Sequence, residues 1–170
     1  LPKLYLLNHS VFHIPGGLLY YSDMPKLTEM IYTAGLVFGD ETIPKLIHFG
    51  FGILSCIPIY KISRKFLNDF LSILSVIIFY SNLVVGWQSI TAYIDLSRTF
   101  FEVMSLWGFL NFTETKNKKW LFMSAAMLGL AISTKLIAVG SILMFVILMV
   151  SYFSYLKKSI VEIVKNLIIY

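Results

Sequence analysis

This chain has one cysteine, Cys56. It offers no internal disulfide, and no Cys/His metal spacing surrounds it, so it reads as a buried thiol in an apolar run. Charge is scarce too. Asp, Glu, Lys and Arg make up 14% of the residues, against about 25% in soluble domains. No Walker loop, G-x-G-x-x-G, G-x-S-x-G or HExxH motif occurs, which argues against nucleotide-driven transport by this segment and against the commonest hydrolase architectures. No repeat, low-complexity tract or interdomain linker is visible. The chain starts at Leu1 without a charged n-region, h-region and cleavage site, and its last residues, Asn166 to Tyr170, are apolar. It reads as an internal segment of a larger polytopic protein.

What is present is apolar. Hydrophobic residues reach 58% and the mean hydropathy is +0.79, which points to an integral membrane protein. The expected fold is all-α: a polytopic transmembrane bundle with an extracytoplasmic loop that carries an interfacial helix. Residues 1–42 form the loop and 43–170 the bundle, of about five helices plus the start of a further segment. In the loop, Ser22-Asp23-Met24-Pro25 is a helix-start signal with Glu29 in the first turn. Leu27, Met30, Ile31, Ala34 and Phe38 follow at helical spacing, and fourteen residues from Pro25 to Phe38 are too few to span. Crossings are expected over 43–60, 70–85 (turned by 86–91), 92–112, 120–134 and 136–156. Ile160 to Tyr170 begins a sixth crossing or an interfacial helix.

The net charge of +5 does not mark a nucleic-acid binder, because the basic residues cluster in short loops. If Lys61–Lys65, Lys116–Lys119 and Lys157–Lys165 are cytoplasmic, nine of the fourteen basic residues lie inside, in accord with the parity of the crossings. The first loop, Asp95 and Lys135 then share the outer side. Lys135 is the only charged residue between Trp120 and Leu156. The apolar runs around it are long enough for two crossings, so it marks their turning point. An ammonium held there snorkels to the interface or meets an anion.

The third crossing carries Thr91, Asp95, Arg98, Glu102 and Ser105 on one face. Asp95 and Arg98 are i,i+3 neighbours able to pair, and Glu102 lies about 10 Å deeper. Such a face is either an internal salt-bridge network or the polar wall of a substrate cavity. His48 reads as a packed or hydrogen-bonded helix residue, and Lys26 with Glu29 as a solvated helix face. His9, His13 and Asp23 are metal-ligand types, but Pro15 and Gly16 break any helix that would set their spacing.

Taken in order, these features resemble the GT-C class of membrane glycosyltransferases, in the branch of lipid A aminoarabinose transferases and protein O-mannosyltransferases. The residues that carry the likeness are Met24-Pro25-Lys-Leu-Thr-Glu-Met-Ile-Tyr32, then Ile59-Tyr60-Lys-Ile-Ser-Arg64, then Ala92-Tyr93-Ile-Asp95 with Thr99-Phe-Phe101, and last Gly129-Leu-Ala to Thr134-Lys135. The resemblance implies sugar transfer from a polyprenyl-phosphate-linked donor to a lipid, glycan or protein acceptor at the extracytoplasmic face, by inverting displacement. It implies a multi-pass protein of the cell's inner or plasma membrane. Lys135 matches the family's phosphate-contacting lysine, although Leu136 stands where the family has glycine. Asp95 matches an acidic residue near the active cavity, lining the site, acting in catalysis or assisting a divalent metal. Arg98, Glu102, Tyr93 and Pro25 would line the cavity. The family's usual catalytic acid falls before Leu1. The likeness implies no other cofactor. Two other readings stay open on the residues alone: a transporter or flippase segment with the Asp95-Arg98-Glu102 face along its pathway, and a non-catalytic membrane subunit using that face for assembly.

Overall fold

The computed structural model describes residues 1–14 and 22–156. Every regular element among them is helical: α1 (Pro2–Leu7), α2 (Leu27–Leu36), α3 (Thr42–Ser63), α4 (Asp69–Ser81), α5 (Leu83–Ser89), α6 (Asp95–Thr115), α7 (Lys118–Thr134), a 3-10 turn (Leu136–Ala138) and α8 (Val139–Tyr155). This is the expected all-α membrane bundle. The Pro15–Gly17 break, Tyr20 and Tyr21, the basic residues after Leu156 and the segment from Ile160 lie outside the described residues.

α6 is the central helix. It packs α3 on one side and α7 on the other. Without a hydrophobic drive between helices in lipid, close approach depends on small residues and hydrogen bonds, and α6 and α7 use both. Ser105 Oγ donates to the Ser124 carbonyl at 2.8 Å, and Ser124 Oγ donates to the Ser105 carbonyl at 2.7 Å, both side chains fully buried. One turn on, a methyl at Gly108 would lie 3.1 Å from the Ser124 amide nitrogen and 3.2 Å from its Cα. Ser105 therefore belongs to this helix lock. On the other side, Phe51 of α3 packs against Phe100 and Phe101 at 5.7 and 5.6 Å between ring centroids. α8 is held by Phe109–Phe145 and Phe112–Phe153, at 6.1 and 6.3 Å. The outward faces of α3 and α8 are apolar, with Phe49, Ile53, Ile57, Leu143, Met144 and Ile147 all exposed, as suits a lipid-facing belt.

Two boundaries differ from expectation. The second crossing breaks at Asn82, between α4 and α5, with a bend of 66°. Asn82 adopts an extended backbone and its side chain accepts the Val84 amide at 2.9 Å, capping α5. The 86–89 stretch read as a turn is therefore helical. Where five crossings are expected, the described residues hold two helices long and apolar enough to span, Thr42–Ser63 and the run Leu136–Tyr155, or three if the bent pair is one span. α6 misses that measure because of its charged residues, and α7 because Lys135 ends it at 17 residues.

α2 lies across the Asp95 end of the bundle. It approaches α3 closely at Gly35, where a Cβ would meet Ile43 and Ile47 at 2.9 Å. Glu29 is not on a solvated face. α1 packs over it, its Oε2 is buried without a partner, and so is the hydroxyl of Tyr5. Burial lifts the Glu29 carboxyl above its ordinary 4.5.

Two outcomes follow from these contacts. Gly108→Ala forces α6 and α7 apart and costs about 1–3 kcal/mol, read as a lower melting temperature, whereas Gly129→Ala, with open space around it, costs nothing measurable. For Glu29, the docked state binds the proton more tightly than the undocked state. Docking of α2 is therefore strongest below the ordinary glutamate range and weakens as pH rises from 4.5 through the raised value. Spin labels on α2 and α3 should show a distance distribution that broadens over that window, and Glu29→Gln should remove the dependence.

Candidate functional site

The site is built at the start of α6. Ile94 provides no side-chain cap there, yet the first amides of a helix need partners. α3 supplies one: His48 Nε2 accepts the Leu96 amide at 3.0 Å. His48 Nδ1 lies 3.0 and 2.9 Å from the carbonyls of Gln88 and Thr91. Only the neutral imidazole with its proton on Nδ1 satisfies all three contacts. The fully buried His48 is thus the packed, hydrogen-bonded residue expected, and it fixes where α6 begins. The Tyr32 hydroxyl of α2 donates to the Tyr93 carbonyl at 2.5 Å. Burial holds that phenol above its usual range, so it remains a neutral donor.

This places Asp95 in the first turn of α6, where the helix dipole favours an anion. Lys135 ends α7 in an extended conformation, where the dipole favours a cation. The two meet: Lys135 Nζ lies 2.7 Å from Asp95 Oδ1, with side chains 40% and 21% exposed. Leu136 in place of glycine does not disturb this turn. Lys135 is extended, its carbonyl accepts the Ala138 amide at 3.0 Å, and Leu136 opens a 3-10 turn, so no left-handed residue is needed.

The other predicted residues divide. Arg98 does not pair with Asp95; its Nε lies 3.5 Å from Glu102 Oε2, one turn deeper. Glu102 Oε1 accepts the Ser141 hydroxyl of α8 at 2.8 Å. The polar face of α6 therefore splits into an upper pair to α7 and a lower pair to α8. The Tyr93 ring is half-exposed against Trp87, at 5.2 Å. Pro25 is half-buried just before α2. A groove of about 320 Å³ beside this end is lined by Lys3, Glu29, Tyr32, Glu41, Lys45 and Ile94 among others, and by none of Arg98, Glu102, Tyr93 or Pro25. His13 Nδ1 lies 3.0 Å from Asp23, both exposed. Among the described residues no three His, Cys, Asp or Glu side chains converge on a metal position.

Beneath the pair lies a contact that sequence reasoning missed. Thr28 Oγ1 of α2 sits 2.8 Å from Ser97 Oγ and 3.2 Å from Thr134 Oγ1. Ser97 follows Asp95 by two positions and Thr134 directly precedes Lys135. The only signal was that adjacency of hydroxyl and charged residues. At the far end of the bundle, Lys65 Nζ reaches Asn111 at 2.9 Å and Glu114 at 2.5 Å. The basic segments 61–65 and 116–119 thus share one end, and α2, Asp95 and Lys135 the other.

No curated protein and no solved structure matches the chain. A family match does, over residues 33–169, to the family described as dolichyl-phosphate-mannose-protein mannosyltransferase. It takes in Asp95, Lys135 and all of α3 to α8. The chain belongs to the dolichyl-phosphate-mannose-protein mannosyltransferase family, and so to the membrane glycosyltransferases of the GT-C type.

Proposed function

We propose that this chain supplies the lipid-phosphate end of a glycosyltransferase site, acting on a polyprenyl-phosphate-linked sugar at the extracytoplasmic membrane face. The observation that carries this reading is the Lys135–Asp95 pair, partly open and covered by α2 at one end of the bundle. Family membership supports a transferase of this kind. The gathering of basic segments 61–65 and 116–119 at the opposite end supports an extracytoplasmic placement of the pair.

The chemistry follows from the charges. An acceptor hydroxyl attacks the anomeric carbon, a carboxylate takes its proton, and the bond from that carbon to the lipid phosphate oxygen breaks with inversion. Polyprenyl phosphate leaves, carrying the charge that grows as the bond breaks. Lys135 stabilises that charge where water is scarce and a fixed cation counts for more. In the resting protein Asp95 occupies the ammonium. A phosphate takes its place, and the released carboxylate stays beside the ammonium, available as a base. Arg98 lies one turn and Glu102 two turns below Asp95, where they pair with each other beneath the site.

In the full-length protein, Lys135→Ala should lower kcat/KM for sugar transfer by about 100-fold or more, with membrane insertion unchanged. Normal transfer by this variant removes the role assigned to Lys135. Asp95→Asn removes a competitor for the ammonium. A half-exposed pair contributes about 1 kcal/mol, so sugar-free polyprenyl phosphate should bind about five-fold tighter while transfer falls. Weaker binding by Asp95→Asn contradicts the exchange.

A further inference from the structure

The hydroxyls beneath the ion pair carry the next step. Ser97 Oγ donates its proton to the Ile94 carbonyl at 2.7 Å, within its own helix. Thr134 Oγ1 donates to the Leu130 carbonyl at 2.9 Å, likewise within its own helix. Each hydroxyl has one proton, so both present only lone pairs toward Thr28. Thr28 has one proton as well, so it serves both as a three-centre donor, with Ser97 the nearer acceptor at 2.8 Å and Thr134 the farther at 3.2 Å. All three side chains are fully buried, in surroundings where a neighbouring hydroxyl must replace water. Leu27, one residue earlier, packs against the small cluster of Phe101, Ala131 and Ala138 that joins α6, α7 and the 3-10 turn. The first turn of α2 is thus wedged between the start of α6 and the end of α7, at the two positions where Asp95 and Lys135 leave their helices.

We propose that Thr28 is a positioning residue for the lipid-phosphate site: its hydroxyl, shared between Ser97 and Thr134, sets the spacing of α6 and α7 that holds Lys135 where the phosphate binds. The inference rests on the phosphate role of Lys135 given above. It makes α2 part of the site's machinery without any contact to the ligand. α6 and α7 are already locked lower down by Ser105, Ser124 and Gly108, so Thr28 acts on the upper ends alone. Loss of its hydroxyl loosens the site and leaves the bundle intact. A displacement of about 1 Å at a charged site is enough to change binding and rate markedly.

The test is binding of sugar-free polyprenyl monophosphate to the full-length protein in phosphatidylcholine nanodiscs. Five proteins are compared: wild type, Thr28→Val, Thr28→Ser, Lys135→Ala and the double variant Thr28→Val/Lys135→Ala. Thr28→Val, which keeps the shape and removes the donor, should weaken binding three- to ten-fold. Thr28→Ser, which keeps the donor, should bind within two-fold of wild type. In the Lys135→Ala background, Thr28→Val should have no further effect, because a positioning residue acts only through the group it positions. If Lys135→Ala loses binding and Thr28→Val does not, the positioning role is overturned and the phosphate reading stands. An equal loss from Thr28→Val with and without Lys135 shows a general structural role and also overturns it. If Lys135→Ala binds normally, the phosphate reading falls and this inference falls with it. Should Thr28→Val fail to fold, Ser97→Ala removes one acceptor from the same cluster and is held to the same outcomes.

Discussion

A charge at the end of a membrane helix needs a counter-charge or water. Here the ammonium of Lys135 finds the carboxylate of Asp95 across the gap between α7 and α6, and the surrounding structure serves that meeting. His48 accepts the Leu96 amide at the start of α6 from outside the helix, so Asp95 emerges at a defined point. The extended backbone at Lys135 stops α7 at the matching level. The helix dipoles favour each charge where it stands. The pair is half-exposed, so it contributes little to stability. It is well suited to being exchanged for another anion.

The polar face of α6 was legible as a face but not in its partition. Residues at 95, 98 and 102 point the same way by helical geometry, and sequence alone cannot say which neighbouring helix each one meets. The structure divides them by depth. Asp95 reaches up to α7, while Arg98 and Glu102 close on one another and on Ser141 of α8. The structural-network reading of this face is thus visible in Arg98, Glu102 and Ser141, which meet one another across two helices. The lower pair joins α6 to α8; the upper pair is the one left open.

Legibility followed the kind of interaction. The all-helical fold, the short non-spanning helix α2, the turning point at Lys135 and the packed His48 all rest on local composition and periodicity, and they were readable. The break at Asn82 was missed because an apolar run hid one asparagine that caps a new helix. Glu29 was misplaced because its burial comes from α1, a segment with no periodic signal. Thr28, Ser97 and Thr134 were unreadable for a different reason. Hydroxyl residues are common in helices, and only the tertiary approach of three separate segments makes them one cluster.

The transporter reading loses ground at this same point. A substrate pathway through a bundle uses broken helices whose freed backbone groups face a cavity near the membrane midplane. The one bent pair among the described residues breaks at Asn82, and that side chain takes up the amide freed by the break. The carbonyls of Gln88 in the short α5 and of Thr91 just beyond it face His48, which supports the start of α6. The break is therefore absorbed by scaffold contacts that end at Asp95. An assembly surface fares no better on the Asp95–Glu102 face, because its charges are already matched within the chain and the buried hydroxyl wedge of α2 covers its upper end. What remains open to a visitor is one ammonium whose present partner is a carboxylate. The phosphodiester of the proposed donor would match that carboxylate's single charge, and the phosphate would gain further charge once its bond to the sugar breaks.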